Sequence, residues 1–282
     1  MPDDHAASDR PAQQLSPDNL PLDREQLERA RLASMSKLAR GVAHDFNNFL
    51  MVILGQAEIG LLTAAADSPA RTQFEQIRTA SLRAADLCRQ LMAYAGQAHL
   101  SLATIDLAAL LTEIAAEIQP SLNPACELRC LWTAEQLPPV EADKVQLRAA
   151  ITGAIRNAAE ALSPAGGVIA LIAGTVDVDR TYLDKLRPAN QAQPGPYAFV
   201  EVVDNGSGMT AEVLACAFDP FYSTKKARPG MGLPTLLGII RGHAGAVHVE
   251  STVGQGTTLR MLLPAARNTQ ELAARLRHFL AD

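Results

Sequence analysis

Asp204-Asn-Gly-Ser-Gly-Met209 follows directly on Phe199-Val-Glu-Val-Val203, a run with the β-branched character of a strand. A carboxylate at the end of a strand can accept a hydrogen bond from an adenine amino group. The two glycines, Gly206 and Gly208, let the backbone curl close around a flat base. Downstream, Phe218-Asp-Pro-Phe-Tyr-Ser-Thr-Lys225 reads as an aromatic hinge, and its last residue, Lys225, is a cation within reach of phosphates. Gly230-Met-Gly-Leu233 then opens a helix, whose first N–H groups favour an anion. Gly254-Gln-Gly-Thr-Thr258 turns into a further strand. Upstream, Asn157 lies on a helical pattern from Ile151 to Leu162 and offers an amide oxygen to a Mg²⁺ that bridges phosphates. Any one of these glycine runs is by itself a turn. Four in series beside an Asn-bearing helix describe an ATP pocket. No Gly-x4-Gly-Lys-Ser/Thr is present, so the pocket is not a P-loop.

The first third of the chain has a different period. From Arg24 the pattern is helical for some forty residues, with Met35, Leu38, Val42, Phe46, Phe49, Ile53 and Ala57 at three- and four-residue steps. Such a helix would run about 60 Å, too long to stand without partners. Ala66-Asp-Ser-Pro69 breaks it, Ser68 capping a second helix and Pro69 taking its first position. That helix carries Phe74, Ile77, Ser81, Ala84, Cys88, Leu91 and Ala95, a heptad seam. Two helices with narrow seams make a hairpin, and a lone hairpin cannot cover both seams. A dimeric four-helix bundle is the natural solution; a monomeric stalk packed on its own second domain is the alternative.

His44 sits on the first helix within Gly41-Val-Ala-His-Asp-Phe-Asn-Asn48, about 200° round from Val42 and from Phe46, so it faces away from the apolar stripe. Lys37, Arg40, Asn47 and Asn48 share its face. An exposed imidazole among cations suits an anionic phosphate, and Asp45 can take a proton or orient the ring. Taken alone, His44 would be a solvated helix histidine. The distal nucleotide signature changes that reading to a phosphoryl acceptor.

Beyond residue 100, helical patterns (Leu107 to Ile118, Lys144 to Leu162) alternate with strand patterns. The strands are Val168 to Val176, Tyr197 to Val203, Val247 to Glu250 and Thr257 to Leu263. With their antiparallel look they predict an α/β sandwich. A net charge of −5 argues against general nucleic-acid binding. No apolar run reaches the roughly 18 residues of a membrane helix, and the polar, acidic start is unlike a signal peptide. The Cys126-x3-Cys130 pair has no second half and reads as structural rather than metal-binding, consistent with a reduced, cytoplasmic protein. Four segments follow: a disordered leader over 1–23, a helical hairpin over 24–98, an ATP-binding domain over 99–266, and a short amphipathic helix within 267–282.

From about Leu32 to Pro264 the chain resembles the two-component sensor histidine kinases whose acceptor box reads His-Asp-Phe-Asn-Asn. Arg83 to Tyr94 is similar to that family's second bundle helix, and Val140 to Leu147 to the approach to its Asn box. The resemblance implies a dimerisation and phosphotransfer hairpin, a four-helix bundle in the dimer, followed by a Bergerat-type α/β sandwich. It implies His44 as phosphoacceptor, Asp45 as its acid/base neighbour, and Asn48 as the residue that orients water when such kinases act as phosphatases. It further implies Asn157 as the Mg²⁺ ligand, Asp204 as the adenine reader, Gly206, Gly208, Gly230 and Gly232 as pocket walls, and Thr257 as a water-mediated adenine contact. The partner would be the receiver domain of a separate response regulator, with sensory input arriving through another protein or through the leader. Three departures stand out: Gly153 where the Asn box begins with Asn, a short segment holding Arg228-Pro229 before Gly230, and Pro234 in place of a small residue. They leave open an adaptor that takes phosphate from elsewhere over a degraded ATP domain. An ATPase driving conformational work is disfavoured, because water attack needs a base and Glu160 is the only nearby candidate.

Overall fold

A computed structural model describes residues 46, 48–94, 100–134, 136–183, 186–187, 192–225 and 230–266. The expected leader, His44, Asp45 and the amphipathic segment after 266 lie outside the described residues. Helix α1, described over 48–63, and helix α2, Pro69–Tyr94, form the hairpin. The break between them is built as its residues dictate. Ser68 Oγ accepts the Arg71 N–H at 3.3 Å, Pro69 occupies the first helical position, and the Arg71 guanidinium donates to the Leu61 carbonyl at 3.0 Å. Ala57 and Leu61 are buried within the hairpin. Phe49, Ile53 and Ile77, from the two seams, remain exposed at 65%, 44% and 42%. One hairpin thus covers Ala57 and Ser81 of its stripes but leaves these larger side chains exposed, in keeping with narrow seams that need further helices.

A two-stranded sheet of β1 (Ala103–Ile105) and β3 (Val140–Ala142) precedes the main layer. The main sheet has five strands in the order β2 (Cys126–Trp132), β4 (Gly167–Val178), β5 (Gly195–Asp204), β7 (Gly256–Pro264) and β6 (Ala246–Thr252). Helices α3 (Leu107–Ile118), α4 (Lys144–Ala161) and α7 (Gly232–Gly242) form one core with a single face of it; short helices α5 (Arg180–Leu183) and α6 (Ala211–Cys216) lie in the connections. The alternation is direct: Ile169, Leu171 and Ala173 of β4 face the helices and are fully buried in one cluster with Ile151 and Ile155 of α4 and Ile240 of α7. A smaller cluster, including Val178, Leu183, Tyr197 and Phe199, lies on the opposite side. Local caps start the helices. Asp106 accepts from Ala109 N–H to start α3, and Asp143 accepts from Val145 and Gln146 N–H to start α4.

The four strands read from the chain pair antiparallel as expected, β4 with β5, β5 with β7 and β7 with β6. A strand not read there, β2, pairs parallel with β4, in register from Cys126–Gly167 to Trp132–Ala173. Its connection to β4 carries β3 and α4 and so makes a crossover, which parallel pairing requires. The strand β2 itself, with the three-residue strands β1 and β3, has no counterpart among the strand patterns read from the chain.

The hairpin also touches the nucleotide-side helices. The Thr235 hydroxyl donates to the Gln90 carbonyl at 3.4 Å, and the Arg241 guanidinium donates to the Tyr94 carbonyl, capping the last turn of α2 from α7. The Asn-box departure, Gly153, is half-buried on α4 and open: a Cβ there would meet no atom within 4 Å. A side chain fits, and alanine removes the entropic cost of a mid-helix glycine. Gly153→Ala is expected to stabilise the protein by about 1 kcal/mol, read as a rise of about 2–4 °C in Tm.

Candidate functional site

A cavity of about 320 Å³ opens between α4, the 205–209 loop and the N-terminus of α7, within the size range of ligand pockets. Its floor is Asp204, only 6% exposed at the end of β5. One carboxylate oxygen accepts the Gly206 N–H at 2.8 Å, and the Thr257 N–H also donates to the group. Burial pushes this carboxyl above the ordinary range; those two N–H bonds and the nearby charge of Lys225 pull it back without cancelling the effect.

The loop after Asp204 is held from both sides. Ser207 N–H donates to the Ala161 carbonyl at the end of α4, and the Gly254 N–H donates to the Ser207 carbonyl. Asn205 Oδ1 accepts the Val168 N–H at 2.8 Å. Ser251 Oγ accepts the Met209 N–H at 2.9 Å, donates to the Gly256 carbonyl, and lies 2.9 Å from Thr257 Oγ1. This hydroxyl joins the loop to the β6–β7 hairpin, and nothing in the glycine motifs pointed to it. The available signal was strand parity: Val247, Val249 and Ser251 share the face of β6 turned toward the helices. Thr257 lines the cavity next to Asp204, opposite which it stands in the β5–β7 register.

Gly208 and Gly230 take φ of 63° and 67°, the left-handed region, and both line the cavity. Gly232 lines it as the first residue of α7. Gly206 sits behind the wall rather than in it, donating to Asp204. Pro234 falls in the first turn of α7, where a missing N–H leaves no helical bond unmade. That departure is therefore structurally benign. Met209, the last residue of the first motif, supplies apolar wall together with Val213, Val249 and Leu259, which the motifs did not identify, and Gln90 closes one side from helix α2.

Asn157 lines the same cavity, and a Cβ built on Gly232 would stand 3.4 Å from its amide nitrogen and 3.5 Å from its oxygen. The amide thus lies directly against the N-terminus of α7. An amide oxygen is a ligand for a hard cation, and Mg²⁺ characteristically takes few protein ligands and completes its shell with phosphate and water oxygens. Among the described residues no group of three or more His, Cys, Asp and Glu could hold a metal. The donor set therefore fits a Mg²⁺ that arrives with a nucleotide better than a resident ion. Lys225 lies at the rim, but its ammonium is 2.9 Å from Glu160 Oε2 rather than free in the cavity. Glu160, read from the chain as a candidate base for an ATPase, is engaged in that ion pair. Asn48 is exposed on α1, remote in sequence from the nucleotide motifs; His44 and Asp45 lie outside the described residues.

A family model described as histidine kinase-, DNA gyrase B- and HSP90-like ATPase matches residues 142–267. The sensor kinase CckA of Brucella abortus is 31% identical over 245 residues, covering 86% of this chain and 25% of that protein. The sensor histidine kinase ZraS of Escherichia coli K12 is 27% identical over 245 residues, 85% of this chain and 48% of that one. The chain thus spans between a quarter and about half of these curated relatives. In fold it is similar to full-length ShkA, solved in complex with AMPPNP, with a TM-score of 0.62 and 23% identity over 81% of this chain and 45% of that one. No helix among the described residues is long and apolar enough to cross a membrane.

Proposed function

Because the chain belongs to the two-component sensor histidine kinase family, we propose that it phosphorylates itself on His44 from ATP and passes the group to an aspartate of a separate response regulator. The observation that carries this reading is the buried Asp204 carboxylate on the floor of a glycine-walled cavity that Asn157 also lines. Asp204 accepts the adenine amino group, with Thr257 beside it, and the apolar wall of Met209, Val213 and Leu259 excludes water from the base. The N–H groups at the start of α7 face the phosphates. Mg²⁺ bound through Asn157 supplies neutralisation of the phosphate charge.

In the transfer the imidazole of His44 forms a nitrogen–phosphorus bond as the bond from the γ-phosphorus to the ADP oxygen breaks, and Asp45 takes the imidazole proton. On the second transfer the nitrogen–phosphorus bond breaks in favour of the regulator's carboxylate. Asn48, exposed on α1 and four residues after His44 in the chain, orients the water that attacks the regulator's aspartyl phosphate, with the carboxylate as leaving group, when the protein acts as a phosphatase. The exposed seam residues Phe49, Ile53 and Ile77 pack against a second copy in a four-helix bundle. The protein acts in the cytoplasm.

The test is incubation with Mg²⁺ and γ-labelled ATP. Acid-labile, alkali-stable label on the wild type, absent from His44→Ala although that variant still binds ATP, is the expected result. Label retained in His44→Ala removes His44 from the role. Asn48→Ala is expected to slow dephosphorylation of the regulator while sparing autophosphorylation, and an unchanged rate would reject its assignment.

A further inference from the structure

Glu160 follows Asn157 by three residues on α4, one turn along the same face, and both line the nucleotide cavity. A carboxylate in the wall of a cavity that receives a triphosphate opposes the ligand unless its charge is matched. Here it is matched from the other side of the rim: Lys225 Nζ lies 2.9 Å from Glu160 Oε2. The two side chains are 43% and 27% exposed, so the pair is of the partly solvated kind that other anions can disrupt. Lys225 is also the cation that ends the aromatic hinge. Its backbone N–H and carbonyl are both bonded to Ser223 Oγ at 3.0 and 3.1 Å, which fixes the backbone while leaving the four-carbon side chain to turn.

We propose that Glu160 is a positioning residue that holds the Lys225 ammonium at the rim of the empty cavity and releases it to the phosphates of incoming ATP. A polyphosphate presents several charged oxygens against one carboxylate and wins the exchange. The pair thereby cancels the charge of Lys225 in the empty site and makes the affinity for phosphate-bearing nucleotides lower than the free lysine would give. The inference rests on the nucleotide reading of the cavity and adds to it a role for a residue outside the family motifs that framed it.

The experiment measures dissociation constants of ATP and adenosine, with Mg²⁺, for the full chain, Glu160→Gln, Lys225→Met and the double variant. Glu160→Gln is expected to bind ATP about two- to fivefold more tightly, the range a partly exposed pair commands, with adenosine affinity unchanged. Unchanged adenosine binding also reports an intact pocket. In the Lys225→Met background the gain from Glu160→Gln should fall to less than half. Overturning results are weaker ATP binding by Glu160→Gln, as a carboxylate ligand for the cation would produce, no change, or an equal gain without Lys225, as simple repulsion would produce. A wild type that binds neither ligand instead overturns the nucleotide reading, and the inference with it.

Discussion

Asp204→Asn is expected to reduce ATP affinity at least a hundredfold while leaving the fold intact. The side chains are close to isosteric, so the space on the cavity floor is unchanged. What changes is polarity. The carboxylate presents acceptors only, already drawing the Gly206 N–H to 2.8 Å and the Thr257 N–H as well. An amide in the same place turns a donor toward the adenine amino group or toward one of those N–H groups. Losing a hydrogen bond to a charged acceptor and burying an unmatched donor together cost about 3 kcal/mol or more, which is the hundredfold stated. Titration of the variant with ATP, beside a far-UV spectrum, decides it; wild-type affinity in Asp204→Asn would mean that adenine is read elsewhere.

The same carboxyl makes a pH prediction whose two parts run in opposite directions. Burial holds its folded value above that of an ordinary aspartate. Protonation therefore begins at higher pH than in an unfolded chain, and ATP affinity should decline early on acidification. Stability behaves conversely. For a group raised on folding, its contribution is fully present below the unfolded value and is lost as pH rises through the folded one. In the nucleotide-free wild type the Asp204 contribution thus grows as affinity falls, and Asp204→Asn should lack both limbs.

How far the chain disclosed this site depends on whether the information was local. The helix predicted over Leu107 to Ile118 has those bounds, and the strand patterns within β4 to β7 each fall inside the observed strand. There, alternation in the residues and burial in the sheet are the same fact. Asp204, Asn157, Gly208, Gly230, Gly232 and Thr257 do converge on one cavity, because each motif lies near the start or end of an element, and the β5–β7 register sets Asp204 opposite Thr257 at one end of the sheet. What could not be read is pairwise. Cys126-Glu-Leu-Arg-Cys-Leu-Trp132 alternates as a strand does, but its parallel partner is fixed by the crossover through α4 and not by its own residues. Gln90 reaches the cavity only because α2 docks on α7, and Lys225 meets Glu160 across 65 residues of chain. Charge and glycine content marked the elements; the contacts between them are tertiary.

Gly256→Ala is expected to destabilise the nucleotide-binding domain by about 3–5 kcal/mol, near the upper end for one methyl group. Gly256 has φ of 102°, a conformation hostile to an L side chain. A Cβ on it would also fall 1.8 Å from the Asp204 carbonyl oxygen and 2.9 Å from the Asn205 Cα, backbone atoms that cannot turn aside as a side-chain end would. Gly254, two residues earlier in the same turn, separates the two causes. Its φ is 76°, yet a Cβ there meets nothing within 4 Å. Gly254→Ala therefore carries the backbone strain alone, about 1–2 kcal/mol. The difference between the two variants in urea unfolding measures the collision between β5 and β7. Relief of that collision means separating the strands where Asp204 stands opposite Thr257, so whatever Gly256→Ala protein folds should bind ATP poorly while Gly254→Ala binds it normally. Equal losses in the two variants would show that the turn's backbone geometry, and not the close approach of the strands, is what glycine supplies at position 256.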